Sequence, residues 1–544
     1  MTKLPSSIFN EVIGPVMIGP SSSHTAAPSR IGNLAGQLSG GTLSRVTVTF
    51  EENGSFATTY RGQKSDQGLA AGLMGMSPHD PRLSDALSII EQSGIALTFE
   101  VKSFEADHPN VVYLDMVNQQ GELVTVKALS TGGGRIEFNE INGCPVYLAG
   151  DYYELVVMFE GDRSFLLEQQ LSKICRVLTG AGVTLHGSFV SDNGKAGVES
   201  RAVIVVHMRE QLSQERMDSI QVLCGKALLR NLVPVMPVMA SEQCEVPYTR
   251  AEKMLEWCSQ QGDVPLWQAA VKYESARANL DERNVIEMMR EIAEVMESAI
   301  ATGLTGDFFM RGFLTPSAGK LHAALNQQKF IPTGMLDMAT VMAVAVMELN
   351  SSMGRVVAAP TAGSCGVLPA AVFSALDALG VPSEERGERA AKALLSAGLV
   401  GVFISEQSTF ATEVCGCQAE CGSAASMAAA ALVDMAGGSA LDACNAAALA
   451  MQNSLGLTCD PVAEQVEIPC IGRNVGAVSN AVSSANLAMF GFKGNLPLDD
   501  VISAMWEVGH TLPDTLRCTG KGGLCTTPSG KRIKKEVDSI RFAS

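Results

Sequence analysis

Cys417, Cys459 and Cys470 have the residue type and spacing best suited to chemistry in this 544-residue chain. They lie in Glu413-Val-Cys-Gly-Cys-Gln418, Gly456-Leu-Thr-Cys-Asp-Pro461 and Ile468-Pro-Cys-Ile-Gly-Arg-Asn474, stretches with few charges. Three thiolates meeting at one point can hold a metal ion or an iron–sulfur cluster and still leave one coordination position open. A Lewis-acid enzyme needs that open position, and a structural site does without it. Cys415 and Cys421 flank Cys417 closely, and either could ligate a metal.

Three other segments offer polar chemistry. Ile18-Gly-Pro-Ser-Ser-Ser-His-Thr25 gathers Ser21, Ser22, Ser23 and Thr25 around His24. Such a loop could clasp a small carboxylate while the histidine handles a proton; a serine-rich helix N-cap would read the same way. His108-Pro-Asn110 sets a histidine and an asparagine beside a strand, where a surface or core histidine is the plainer reading. Ala359-Pro-Thr-Ala-Gly-Ser-Cys-Gly366, with Thr361 and Gly363, suits a ligand loop or a helix–helix corner equally.

These residues need a large scaffold. The chain is 46% hydrophobic and 18% charged, enough for a sizeable core and two to four domains. A net charge of −17 argues against a nucleic-acid partner. Val356–Leu376 and Asn474–Phe492 carry few or no charges, but their Pro, Gly, Asn and Ser content suits a soluble core, so no membrane span is expected. No secretory signal opens the chain. Fourteen cysteines then favour reduced thiols, and a cytoplasmic enzyme acting on a small molecule is expected, as a homodimer.

The expected fold is multidomain α+β. Residues 1–150 form an α/β domain, with strands at Val46–Phe50, Ile95–Val101, Val111–Met116 and Arg135–Phe138. Residues 151–240 follow a βαββαβ order, a ferredoxin-like module, with strands at Tyr153–Phe159, Thr184–Val190, Ala202–His207 and Val233–Val238 and a helix over Arg163–Leu178. Residues 248–544 read as an all-α domain; Thr249-Arg-Ala-Glu252 has capping-box spacing, and Asp281 caps a helix carrying Val285, Met289 and Met296 on one face.

Together the segments resemble the iron–sulfur-dependent L-serine dehydratases (L-serine ammonia-lyases) over nearly the whole chain. Ile13–Thr25 resembles the family's β-region signature, and His108–Asn110 and Gly132–Gly134 fall where that region has similar segments. Gly354–Thr361 is similar to the catalytic region. Gly416-Cys-Gln418, Cys459-Asp-Pro461 and Pro469-Cys-Ile471 resemble the cluster-binding motifs, with 41 residues between Cys417 and Cys459 and 10 between Cys459 and Cys470, as in the family. The resemblance implies a single-chain form with β before α and a [4Fe-4S] cluster on Cys417, Cys459 and Cys470. It favours Cys417 over Cys415 and Cys421. The implied reaction converts L-serine to pyruvate and ammonia, with His24 and His108 for proton transfer. Ser21, Ser22, Ser23, Thr25, Asn110, Thr361 and Gly363 would surround the substrate. The middle module resembles the ACT domains of some relatives.

The chain departs from the family in three places. A histidine common in relatives is Gln63 here, within Arg61-Gly-Gln-Lys-Ser-Asp66, and glutamine is no base near neutral pH. His24, His108 or Lys64 must then take the proton, with His24 first, or the substrate differs from serine. Gly161-Asp-Arg-Ser164 replaces the ligand-binding turn of ACT domains. The chain ends Arg541-Phe-Ala-Ser544, without the cysteine tail that folds onto the cluster in some relatives. Cys365, Cys444, Cys518 and Cys525 read as small core residues, with Cys518 or Cys525 the alternative stand-in for that tail at the cluster. Competing readings are an L-cysteine desulfidase, a dehydratase of another β-hydroxy amino acid, and a non-catalytic iron–sulfur sensor. A pyridoxal-phosphate dehydratase would need a Schiff-base lysine, and Gly54–Gly62 offers none.

Overall fold

The computed structural model describes residues 4–161, 166–241, 244–310, 312–492 and 494–541. Twelve strands are found among them: β1 (Val16–Ile18), β2 (Leu43–Glu51), β3 (Ala96–Lys102), β4 (Val111–Asn118), β5 (Leu123–Gly132), β6 (Arg135–Ile141), β7 (Cys144–Leu148), β8 (Tyr153–Glu160), β9 (Leu185–Asp192), β10 (Arg201–Met208), β11 (Leu228–Leu232) and β12 (Arg355–Val357).

The first sheet has the order β3-β2-β4-β5-β6-β7. Only β2 and β3 run parallel; the other neighbours are antiparallel. On β5, Val124, Val126 and Ala128 are buried while Thr125 and Lys127 are less so, the period of two that one covered face dictates. Helices Ala27–Ser39 and Ser65–Leu73 pack together and help build that core. Their approach needs Gly72, where a Cβ would stand 2.7 Å from the Asn33 nitrogen.

The second sheet has the order β11-β8-β10-β9, all antiparallel. With helices Leu167–Gly180 and Gln214–Cys224 it follows the expected βαββαβ order around a core of its own. Its last strand is Leu228–Leu232, not Val233–Val238. Pro234 and Pro237 lie in the expected segment and cannot donate to a ladder. The expected helix start at Arg163 and most of the Gly161–Ser164 turn lie outside the described residues, as does the end of the chain at 542–544.

Beyond residue 248 the chain is helical, apart from β12. In Ser423–Met435 every residue except Asp434 is buried, and its alanines let helices Ser383–Gln407, Ala440–Gln452 and Cys470–Met489 close around it. Asp281 caps Glu282–Thr305 as expected, accepting from the Arg283 N–H at 2.8 Å. The capping box at Thr249 does not form. The helix Ala251–Gln260 is capped from a distance by Asp499, which accepts from the Ala251 and Glu252 N–H groups at 3.1 and 3.0 Å. Among the described residues no helix is long and apolar enough to cross a membrane.

Two features join the N-terminal part to the helices. Ile8, Phe9, Val12 and Ile13 are buried in the helical core, with the Ile8 N–H and Ser7 hydroxyl donating to Glu274 at 2.8 and 2.6 Å. Then β1 pairs antiparallel with β12, Val16 opposite Val357. β1 leads into the serine loop and β12 into the Thr361 loop, from opposite ends of this three-residue pair.

Candidate active site between the serine loop and the cysteines

The serine loop is both an N-cap and a row of donors. Ser21 Oγ accepts from the His24 N–H at 3.1 Å and opens a wide helical turn, Ser22–Ala26, that runs into Ala27–Ser39. Asn350 ties it to the other loop, its Nδ2 donating to the Pro20 and Ala362 carbonyls at 2.9 and 3.1 Å. The Ala362 N–H donates to Ser22 Oγ at 3.3 Å. His24 is fully buried: Nδ1 lies 2.8 Å from Ser23 Oγ and 3.2 Å from Glu413 Oε1, and Nε2 lies 3.1 Å from Ser55 Oγ. Burial lowers its pKa, and the Glu413 charge opposes that shift.

Three side chains bring the cysteine segments together. Gln418, next to Cys417, accepts from the Gly456 N–H at 2.9 Å, and its own N–H donates to the Leu457 carbonyl at 3.1 Å; this fixes Cys417 against the approach to Cys459. Arg473, one turn after Cys470, donates to the Thr458 carbonyl at 2.7 Å and to Asp460 Oδ1 at 2.8 Å. Asn474 donates to the Cys470 and Gly363 carbonyls at 2.9 and 2.7 Å and accepts from the Gly366 N–H at 3.1 Å. The thiols gathered this way influence one another. Cys459 is pushed well above the ordinary thiol range, first by its bond to Cys518, then by burial and the Cys417 charge. Burial, then Glu420 and Cys417, does the same to Cys470. Cys421 is pushed up by its bond to Cys417 and by burial.

A small, partly open cavity of about 30 Å³ lies where the two loops and the cysteines meet. Ser21, Ser22, Ser23, Thr361, Gly363, Cys459 and Cys470 line it, together with Gln63, Glu413, Glu420 and Cys518. A larger depression of about 940 Å³ runs along Leu457, Ile471 and Gly476. It is mostly apolar and open, so the small cavity, where polar groups converge, is the better candidate.

Five of the expected residues stand off its wall. Cys417 is buried, with Sγ donating to Glu420 Oε2 at 3.8 Å. His24 sits behind Ser23. Thr25 donates to the Gln63 carbonyl at 2.7 Å. His108 is half-buried and accepts from the Asn110 N–H at 3.1 Å; burial lowers its pKa against the Glu413 and Asp107 charges. Asn110 is fully buried, donating to the Ser130 carbonyl at 3.4 Å.

Glu413 and Glu420 were not anticipated; Cys518, read first as a core residue with an approach to the cluster as the alternative, lines the cavity. Burial pushes the Glu420 carboxyl up to about 7; the hydroxyl donated by Thr361 opposes this and the Glu413 charge adds to it. Cys518 is held by backbone, its N–H donating to the Cys459 carbonyl at 2.9 Å, and Gln63 Nε2 lies 3.6 Å from its sulfur. Cys525 stays off the wall, its thiol 3.1 Å from the Pro461 carbonyl. Cys365 and Cys444 are buried in the helical core, as expected. The two carboxylates did leave a signal: they are the only charges between Gln407 and Val433.

The serine dehydratase beta chain family matches residues 9–95 and the serine dehydratase alpha chain family residues 261–525. The probable L-serine dehydratase alpha chain of Bacillus subtilis (strain 168) is 40% identical over 254 residues, 47% of this chain and 83% of the relative. The L-serine dehydratase alpha chain of Peptoniphilus asaccharolyticus is 36% identical over 287 residues, 53% of this chain and 97% of the relative. L-serine dehydratase 2 of Escherichia coli (strain K12) is 29% identical over 527 residues, 95% and 98% of the two chains. This chain belongs to the serine dehydratase family, with the beta and alpha parts joined in one polypeptide.

Proposed function

We propose that this chain dehydrates and deaminates L-serine to pyruvate and ammonia, using a [4Fe-4S] cluster held by Cys417, Cys459 and Cys470. The observation that carries this reading is the small cavity in which three serine hydroxyls face Cys459, Cys470 and two buried carboxylates. The donor set fits the group. Soft, buried thiols suit iron–sulfur ligation. Among the described residues the group tight enough for a single ion is Cys417, Glu420 and Cys421. Cys459 and Cys470 each feel the Cys417 charge, and neither belongs to that tight group. When bound, such a cluster supplies a Lewis acid for the substrate hydroxyl.

The chain's own residues do the rest. Ser22 Oγ accepts from the Ala362 N–H, which leaves its own proton for the substrate carboxylate; Ser21 Oγ accepts from the His24 N–H and can turn its proton from Ser23 Oγ, 3.4 Å away, to the same carboxylate. Proton transfer falls to Ser23 and His24. The single proton of Ser23 Oγ can go to Glu413 Oε1 at 3.1 Å or to His24 Nδ1 at 2.8 Å; with Nε2–H donating to Ser55, Nδ1 is open to accept it. Glu413, 3.2 Å away, steadies the imidazolium that forms. Burial keeps the resting imidazole neutral, the form a base requires. His108, Thr25 and Asn110 support this wall from behind. Loss of water leaves an enamine that tautomerises and hydrolyses.

Domains near 1–150, 151–240 and 248–544 belong to this reading; one core lies wholly within 151–240, and the other two are centred in 1–150 and 248–544 and share residues across the bounds. A cytoplasmic homodimer completes the reading; exposed Leu487, Phe490 and Phe492 form an apolar surface that a second copy would cover. The test is anaerobic reconstitution with iron and sulfide, followed by assay of 2-oxo acid and ammonia from L-serine, L-threonine and L-cysteine. Turnover greatest with L-serine is expected. A full cluster with no turnover of any of the three would refute the reading, and turnover of L-cysteine alone would replace it with desulfidation.

A further inference from the structure

Glu413 carries a buried carboxylate oxygen with no partner. Its side chain is 2% exposed. Oε1 already has neighbours, Ser23 Oγ at 3.1 Å and His24 Nδ1 at 3.2 Å. Oε2 is buried and has no hydrogen-bond partner among the described residues. Glu413 is on the cavity wall, and among the described residues no lysine, arginine or histidine lines that wall. The other carboxylate there, Glu420, is already engaged by Thr361 and Cys417. A buried acceptor left without a donor is costly, more so when it carries charge. A bound cation offering N–H donors relieves that cost; a neutral or anionic ligand does not.

We infer that Glu413 Oε2 receives the α-ammonium group of the substrate, making this residue the one that selects amino acids over 2-hydroxy acids. The inference rests on the proposed reading of the cavity as an amino-acid site. The ammonium would donate to Oε2 while the carboxylate reaches Ser21 and Ser22. An amino acid then bridges the wall from the serine loop to Glu413. A 2-hydroxy acid of the same shape leaves the Glu413 charge unmatched. Sites built around a buried polar group discriminate strongly against ligands that leave it unpaired.

The experiment is equilibrium binding to the reconstituted holoenzyme of two ligands with no β-leaving group, L-alanine and L-lactate. The wild type is expected to prefer L-alanine. Glu413→Gln keeps the shape and removes the charge; it should weaken L-alanine binding about 10²-fold, the scale of a lost charge-assisted pair, and leave L-lactate unchanged or tighter. Iron content should stay at the wild-type value. Unchanged L-alanine affinity in Glu413→Gln would overturn the inference, as would loss of iron from a folded variant, which would make Glu413 a holder of the metal. If Glu413→Gln does not fold, Glu413→Asp decides: retracting the charge should cut the alanine-to-lactate preference at least tenfold, and an unchanged ratio refutes the role. Failure of the underlying reading looks different, since the wild type would then bind neither L-alanine nor L-serine.

Discussion

Arg473→Ala should loosen the site without touching a thiol. The guanidinium spans two cysteine segments, donating to the Thr458 carbonyl and Asp460 Oδ1 beside Cys459 while its own helix begins at Cys470. Arg473 is 16% exposed and Asp460 6%, so the pair is largely shielded from water. A charge-assisted bond to a buried carboxylate is worth about 1.5–3 kcal/mol and a neutral one about 1 kcal/mol. Asp460 keeps a second partner, the Leu524 N–H at 2.8 Å, which limits the damage. A net loss of about 3 kcal/mol follows, or roughly 10²-fold in the fraction of molecules whose cysteines are held in register. The assay is an anaerobic titration with ferrous iron and sulfide, read as iron per chain. Half-saturation should move to roughly 10²-fold higher iron. Arg473→Lys should fall between, because a single ammonium cannot reproduce the two-pronged contact. A wild-type titration curve for Arg473→Ala would refute the reasoning.

The remaining predictions concern the cavity and one distant helix. A methyl at Gly363 would stand 2.8 Å from Glu420 Cδ and Oε2, and Glu420 is pinned by Thr361; Gly363→Ala should lower kcat/KM about 10²-fold with little change in Tm, as a displacement near 1 Å does. Ser23→Ala cuts the path to His24 and should lower kcat about 10²–10⁴-fold at unchanged iron content, and a variant with wild-type kcat would remove the relay. Burial pushes the Asp434 carboxyl from 3.8 to about 6, so the folded chain holds a proton that the unfolded chain has released. That contribution is complete below pH 3.8 and lost as pH rises to about 6, a change of about 3 kcal/mol. Asp434→Asn does not titrate, so it should gain stability over the wild type between pH 4 and 7 in paired denaturant titrations; a constant difference would refute the assignment.

The parts legible in the sequence depend on local pattern. β-Branched and aromatic residues marked β2, β3, β4 and β6 but not β5, helical periodicity marked Glu282–Thr305, and glycine, serine and cysteine motifs marked all three segments that meet at the cavity. Long-range pairing was not legible. The cap of Ala251–Gln260 comes from Asp499, some 250 residues away, so Thr249 and Glu252 gave a false signal. The turn Ser22–Ala26 directs Ser23 to the cavity and His24 away from it, a distinction invisible in a run of Ser-Ser-Ser-His. Glu413 and Glu420 were passed over because a carboxylate's role depends on what it faces, here Ser23, His24 and Thr361 from remote segments. Cys518 joined the wall through a backbone bond to Cys459 that no spacing rule contains.

The convergence of Cys417, Cys459 and Cys470 on one iron–sulfur site is tested most directly by iron per chain after anaerobic reconstitution of Cys459→Ser beside Cys444→Ser. Both thiols are buried, but Cys444 lies within the helix Ala440–Gln452, away from the cavity. The predicted result is loss of iron in Cys459→Ser and full loading in Cys444→Ser. Full iron in Cys459→Ser, or equal loss in both, would contradict the account.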